Sequence, residues 1–196
     1  MKALFLHSIV LVCLILASSP IAHAADNYKL DPAHTSVIFG VSHMGFSYTY
    51  GRFNEVAGNY ILDQENPANS QFQLTINAGS IDTGNEKRDE HLRGPDFFNV
   101  KQFPLITFQS KQVSASKNEA GETVYEVTGD LTIHGVTRSV PISLRLLKTG
   151  EGMQGETRTG FLCEKHLMRT EYGMTNMVPA VGDEIAVTIS FEGVKE

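Results

Sequence analysis

The chain has 196 residues, 41% hydrophobic and 19% charged, with 16 basic against 22 acidic side chains and a formal net charge of −6. That length is one domain's worth, and the acidic balance disfavours nucleic acid and anionic membrane surfaces as main partners. Two cysteines are too few for a disulfide scaffold.

Residues 1–24 carry the pattern of a cleaved secretory signal. Lys2 supplies the positive start, Leu4–Leu16 is an apolar run, and Ala22-His23-Ala24 fits the small-x-small cleavage pattern ahead of Ala25. The run is short for a spanning helix, so a retained anchor is the weaker alternative. Cys13 lies within the run after Val12, which argues against a lipoprotein signal. Export to the periplasm is the expectation, with no stable membrane anchor. The 172 residues from Ala25 onward form one domain, 25–196, with 15 basic and 22 acidic residues. A domain of that length buries about 70% of its unfolded surface and needs no covalent staples. Its only cysteine is Cys163, beside Phe161 and Leu162, which reads as a small buried side chain before it reads as a reactive thiol.

After a lead-in at 25–30 and a turn at Asp31-Pro32, His34–His43 alternates with Val37, Phe39 and Val41 on one face. Residues 44–50 (MGFSYTY) read as an aromatic loop. Arg52–Leu62 reads as a strand with two competing faces, which a bulge near Gly58 would reconcile. A polar turn carrying Asn66-Pro67 leads to Gln71–Asn77, where Phe72, Leu74 and Ile76 share a face. One short helix is expected over 85–94. Asn85 is its cap, Glu86, Asp89 and Glu90 suit the positive dipole end, and Gly94-Pro95 stops it. Phe97 and Phe98 follow. The helix with its paired aromatics is either a plug or lid at one end of a barrel or a connector that fills core.

Pro104–Val113 places Ile106 and Phe108 together. Residues 114–122 read as a hairpin turn. Thr123–His134 aligns Tyr125, Val127, Gly129, Leu131 and Ile133, and Val136–Leu147 aligns Ile142, Leu144 and Leu146. Met153–Cys163 is thinner, with Thr157, Thr159, Phe161 and Cys163 facing in. Residues 164–183 read as a long loop with room for one helical turn. Glu184–Val194 aligns Ile185, Val187, Ile189 and Phe191. That makes eight one-sided strands and one helix, an all-β antiparallel arrangement. Eight strands can close into a barrel around side chains or one small ligand, and a two-sheet sandwich shares the pattern. The small inward residues Gly58, Gly129, Thr157 and Thr159 favour a cavity over a solid core.

Chemistry-bearing motifs are absent. His34, His43, His91, His134 and His166 have no metal-binding spacing, and no nucleophile elbow or phosphate loop occurs. No catalytic residue, metal or cofactor is therefore assigned. The scattered arginines Arg88, Arg93, Arg138, Arg158 and Arg169 read as surface charges, one or two of which could meet a polar head group.

Three stretches carry a resemblance: DPAHTSVIFGVSHMGFSYTYGRF (31–53), SIDTGNEKRDEHLRGPDFFNVKQFPLITF (80–108) and VTGDLTIHGVTRSVPISL (127–144). They are similar to the YceI-like, polyisoprenoid-binding family, and the likeness runs over essentially all of residues 25–196. It implies a secreted, lipocalin-like eight-stranded antiparallel barrel. The implied partner is a long isoprenoid such as a polyprenyl quinone or phenol, or a similar amphiphile, held as ligand and not as cofactor. True lipocalins usually carry a Trp near the first strand, which this chain lacks, so that likeness is architectural.

Alternation proposes the ligand-binding wall: Phe39, Val41, Phe72, Leu74, Ile76, Ile106, Phe108, Leu131, Ile133, Leu144, Ile189 and Phe191. Met44, Phe46, Phe97 and Phe98 are proposed at the mouth. Carrier, enzyme acting on such a lipid, and filled structural module remain the competing classes, and a homodimer stays open.

Overall fold

Alternation becomes sheet almost everywhere. The computed structural model describes residues 25–196, so the signal assigned to residues 1–24 lies outside the described residues. The strands are β1 (Asp26–Leu30), β2 (Ser36–His43), β3 (Ser47–Phe53), β4 (Val56–Leu62), β5 (Gln71–Asn77), β6 (Ile81–Asp82), β7 (Leu105–Lys117), β8 (Thr123–Ile133), β9 (Val136–Glu151), β10 (Thr157–Met168) and β11 (Val181–Lys195). Every pairing among them is antiparallel.

These segments build eight staves. β1 and β2 are one bent strand, since both lie along β11: Tyr28–Leu30 pair with Gly193–Lys195, and Ser36–His43 with residues 181–190. β3 and β4 form a second bent stave, pairing β2 and β1 respectively. β5 and β6 form the third, pairing β4 and β3. β7 to β11 complete the circle, and β1 closes it between β4 and β11. The result is the expected closed eight-stranded antiparallel barrel.

The bends explain where the sequence misleads. Phe53 and Tyr60 both point inward although their numbers differ in parity. The two-residue break at Asn54-Glu55 absorbs the shift, and the β4–β5 register is regular through Gly58, so no bulge lies there. A bulge does occur on β7 between Ser110 and Gln112, moving the inward face from Phe108 to Val113. The 25–30 lead-in is a strand that seals the barrel. The 44–50 loop is mostly β3, the 114–122 turn is shorter because β7 runs to Lys117, and the 164–183 loop is trimmed from both ends by β10 and β11. Its one helical turn is the 3-10 segment Arg169–Tyr172.

The helix α1 (Glu86–Arg93) forms where expected. Asn85 accepts from the Arg88 N–H at 3.1 Å, and Gly94 ends the helix. Buried Asp89 accepts from the Thr83 N–H at 3.0 Å and hydroxyl at 2.5 Å. Arg88 donates to the Thr83 carbonyl, and Arg93 to the carbonyls of Gly79 and Ile81. The helix is therefore riveted to β6 and its approach.

One end of the barrel is solid. Tyr28 stacks on Tyr60 at 5.0 Å, and Phe161 stacks on Phe191 at 5.2 Å. Phe72 and Tyr125 meet Phe161 edge-on. Buried Tyr60 bonds its hydroxyl to Thr159. Small inward residues serve these rings. A Cβ on Gly193 would strike the Tyr60 ring, 2.5 Å from its Cζ. A Cβ on Gly129 would lie 2.6 Å from the Phe108 ring. The small residues thus make room for large neighbours instead of leaving a void, contrary to the reasoning from composition.

Candidate functional site

At the other end the barrel is hollow. A mouth chamber of about 510 Å³ lies between β2, β3, the ends of β10 and β11, and the α1 segment. A deeper chamber of about 140 Å³ continues toward the aromatic plug. Val37, Phe53, Ile106, Ile133, Leu167 and Val187 line both, so the two are successive parts of one interior. An apolar cavity near 150 Å³ already suffices to stay dry and bind a small hydrocarbon, and ligand pockets commonly span about 300–1,000 Å³.

The sequence-proposed wall divides between these parts. Phe72, Leu74, Ile76, Phe108, Leu131, Leu144, Ile189 and Phe191 line the deep chamber. Ile106 and Ile133 line both. Phe39, Val41, Phe97 and Phe98 line the mouth chamber. Phe72 and Phe191 also belong to the aromatic plug, so they floor the interior. Met44 and Phe46 depart from expectation. They sit at the tip of the β2–β3 hairpin, 59% and 86% exposed, and line neither chamber. Positive φ angles at Met44 and Gly45 make this a tight hairpin turn of the primed type, which carries the tip past the wall.

Several lining residues escaped the sequence reading. Leu167 and Lys165 continue the inward alternation of Cys163, opposite Ile185 and Val187. Lys165 is half-buried against the deep chamber and has no ion pair among the described residues. The continuing period of two was the available signal, masked by the charged EKH run. Tyr172, Met174 and Met177 come from the segment read as loop.

The polar groups collect at the mouth: His43, Ser47, Thr49, Thr83, Arg88, His91 and Arg169. His91 pairs with Asp96 at 3.1 Å and meets Phe97 edge-on at 5.0 Å. Arg169 is buried. It donates to the carbonyls of Met174 at 2.6 Å, Gly182 at 2.9 Å and Val181 at 3.0 Å, and its guanidinium lies 5.9 Å from the Phe97 ring centre. Burial holds its pKa below the usual arginine value. It fastens both ends of the 174–182 segment beside the opening. The Cys163 thiol, inside the deep chamber, is pushed up to about 11 by burial and stays protonated at neutral pH. Tyr172 carries the one buried side-chain polar atom without a partner among the described residues.

Outside the chambers, Asp31, His34 and Glu192 bring ligand-type atoms within 4.8 Å of one another. The Arg158 guanidinium already stands among them, 2.7 Å from Asp31 and 3.0 Å from Glu192. The cluster is an ion-paired brace across β10, β11 and the β1–β2 bend, with Glu156 as a third carboxylate on Arg158.

Riveted helix, closed staves and a hollow apolar end define a class, the small antiparallel barrel with an internal chamber. The chain belongs to the YceI-like family, whose domain model matches residues 28–193. A UPF0312 protein of Pseudomonas aeruginosa (strain LESB58) is 36% identical over 177 residues, 89% of this chain and 90% of the relative. Among solved structures, BcnA of Burkholderia cenocepacia matches with a TM-score of 0.72 at 24% identity, over 83% of this chain and 98% of that one. A polyisoprenoid binding domain from Saccharophagus degradans, implicated in plant cell wall breakdown, matches with a TM-score of 0.67 at 15% identity, over 86% and 98%. At these identities the two structures share the fold.

Proposed function

We propose that this chain is an exported periplasmic protein that holds the tail of a long isoprenoid lipid, of polyprenyl quinone or phenol type, for storage or transport. One observation carries the reading: the mouth and deep chambers form a single apolar interior, floored by aromatic rings and open at the end where the polar side chains gather. The choice of ligand class is supported by the Saccharophagus degradans neighbour, a polyisoprenoid binding domain on the same fold. The energetics require length. A buried methylene is worth about 0.8 kcal/mol, while association costs about 4–15 kcal/mol, so a tail of a few carbons barely breaks even.

Binding is favoured over catalysis because the chamber walls are overwhelmingly apolar and the hydroxyl–carboxylate pair at the mouth, Thr83 with Asp89, is taken up in fastening α1. The protonated Cys163 thiol lies in the deep chamber among apolar neighbours. The test is organic extraction of protein purified from its native periplasm, followed by mass spectrometry. A long-chain isoprenoid in near-stoichiometric amount is expected. Repeated extracts holding only buffer components would contradict the reading.

A further inference from the structure

Two segments beside the mouth carry no charged residue at all, 44–51 (MGFSYTYG) and 173–182 (GMTNMVPAVG). The Met44 N–H donates to the Ala180 carbonyl at 2.7 Å, so the hairpin tip and the second segment form one continuous rim. On that rim Phe46 and Met44 stand out from the tip, Tyr48 and Tyr50 are 64% and 70% exposed, and Met177 and Val178 are exposed as well. Met177 also lines the mouth chamber, which makes the outer apolar surface continuous with the interior. An exposed patch of this kind marks an interaction site.

We infer that this rim docks on the surface of a zwitterionic phospholipid bilayer, with Phe46 and Met44 inserted and Tyr48 and Tyr50 at head-group level. The inference rests on the lipid-carrier reading and adds where loading takes place. A long isoprenoid is negligibly soluble in water, so an empty chamber can fill only where that lipid is dissolved, and the rim borders the opening. Phe at an inserting tip with Tyr behind it matches the interfacial preference of amphipathic aromatic rings. The tip tolerates shallow insertion because the Met44 and Phe46 N–H groups are already bonded, the latter to the His43 carbonyl at 3.0 Å. The acidic net charge selects a neutral surface over an anionic one.

The chain has no tryptophan, so Phe46→Trp places a single reporter at the tip. With phosphatidylcholine vesicles its emission should shift to the blue and be quenched by lipids brominated high on the acyl chain. The double variant Met44→Asp/Phe46→Asp should partition onto vesicles at least about tenfold less. Its circular dichroism, and its retention of isoprenoid supplied in detergent, should match the parent, since neither residue lines a chamber, while the lipid it carries out of the periplasm should fall. An unshifted Phe46→Trp emission overturns the inference, as does a double variant that turns a dimer into a monomer while vesicle binding persists. Absent vesicle binding in protein that still yields lipid defeats docking alone; absent lipid in protein that binds vesicles defeats carriage alone.

Discussion

Phe108 shows what decides the interior at the scale of one side chain. Its ring stands on Gly129, is buried, and lines the deep chamber. Phe108→Ala should lose about 3–5 kcal/mol in urea unfolding, the transfer and cavity cost of a large core ring; a loss below about 1 kcal/mol would contradict its position. Residues of this kind were legible, because a strict period of two over β5, β8 and β11 puts one face inside. What alternation could not supply was depth along the axis. Phe39 and Phe191 look alike in sequence, yet one walls the mouth and the other stacks into the floor. Nor could it mark the tip, where a turn of two residues lifts Met44 and Phe46 clear of the wall.

The elements depend on how the first three staves bend. At the β1–β2 bend, Asp31 caps the Pro32–His34 turn through the Ala33 N–H and receives Arg158 from β10. The Arg158 guanidinium, then His34, lower the Asp31 pKa from 3.8 to about 2. A carboxyl whose pKa is depressed on folding adds stability above its unfolded value and loses it as the pH drops. The contribution is complete above pH 3.8 and fades toward pH 2. Asp31→Asn keeps a capping oxygen but not the charge. It should lower the melting temperature at neutral pH and flatten its decline between pH 3.8 and about 2; an unchanged slope would contradict the assignment. These bends were not legible. Asp31-Pro32 announced a turn, but nothing local said that the chain resumes along the same partner strand, a long-range fact of the β11 ladder. The helix was legible because its signals are local: Asn85, the acidic first turn and Gly94. Lid and connector both describe it in part. It walls the mouth through Arg88, His91 and Leu92, yet the Thr83–Asp89 knot holds it as a fixed wall.

Across the whole molecule, the barrel is half solid and half hollow. Tyr28, Tyr60 and Tyr125 join Phe72, Phe161 and Phe191 at one end, whereas at the other Phe39, Phe53, Phe97 and Phe98 line the wall of an open chamber beside the riveted helix. A barrel of eight staves is just wide enough to be filled by side chains or to hold one ligand; here both happen at different heights. The most direct measurement is thermal unfolding of lipid-stripped protein with polyprenyl quinones of increasing tail length at fixed excess. The melting temperature should rise with each added isoprene unit and level off once the interior is full. Thr49→Trp, which puts an indole into the mouth chamber, should abolish the trend. A melting temperature indifferent to tail length, or a length dependence that survives Thr49→Trp unchanged, would contradict a tail held inside the barrel.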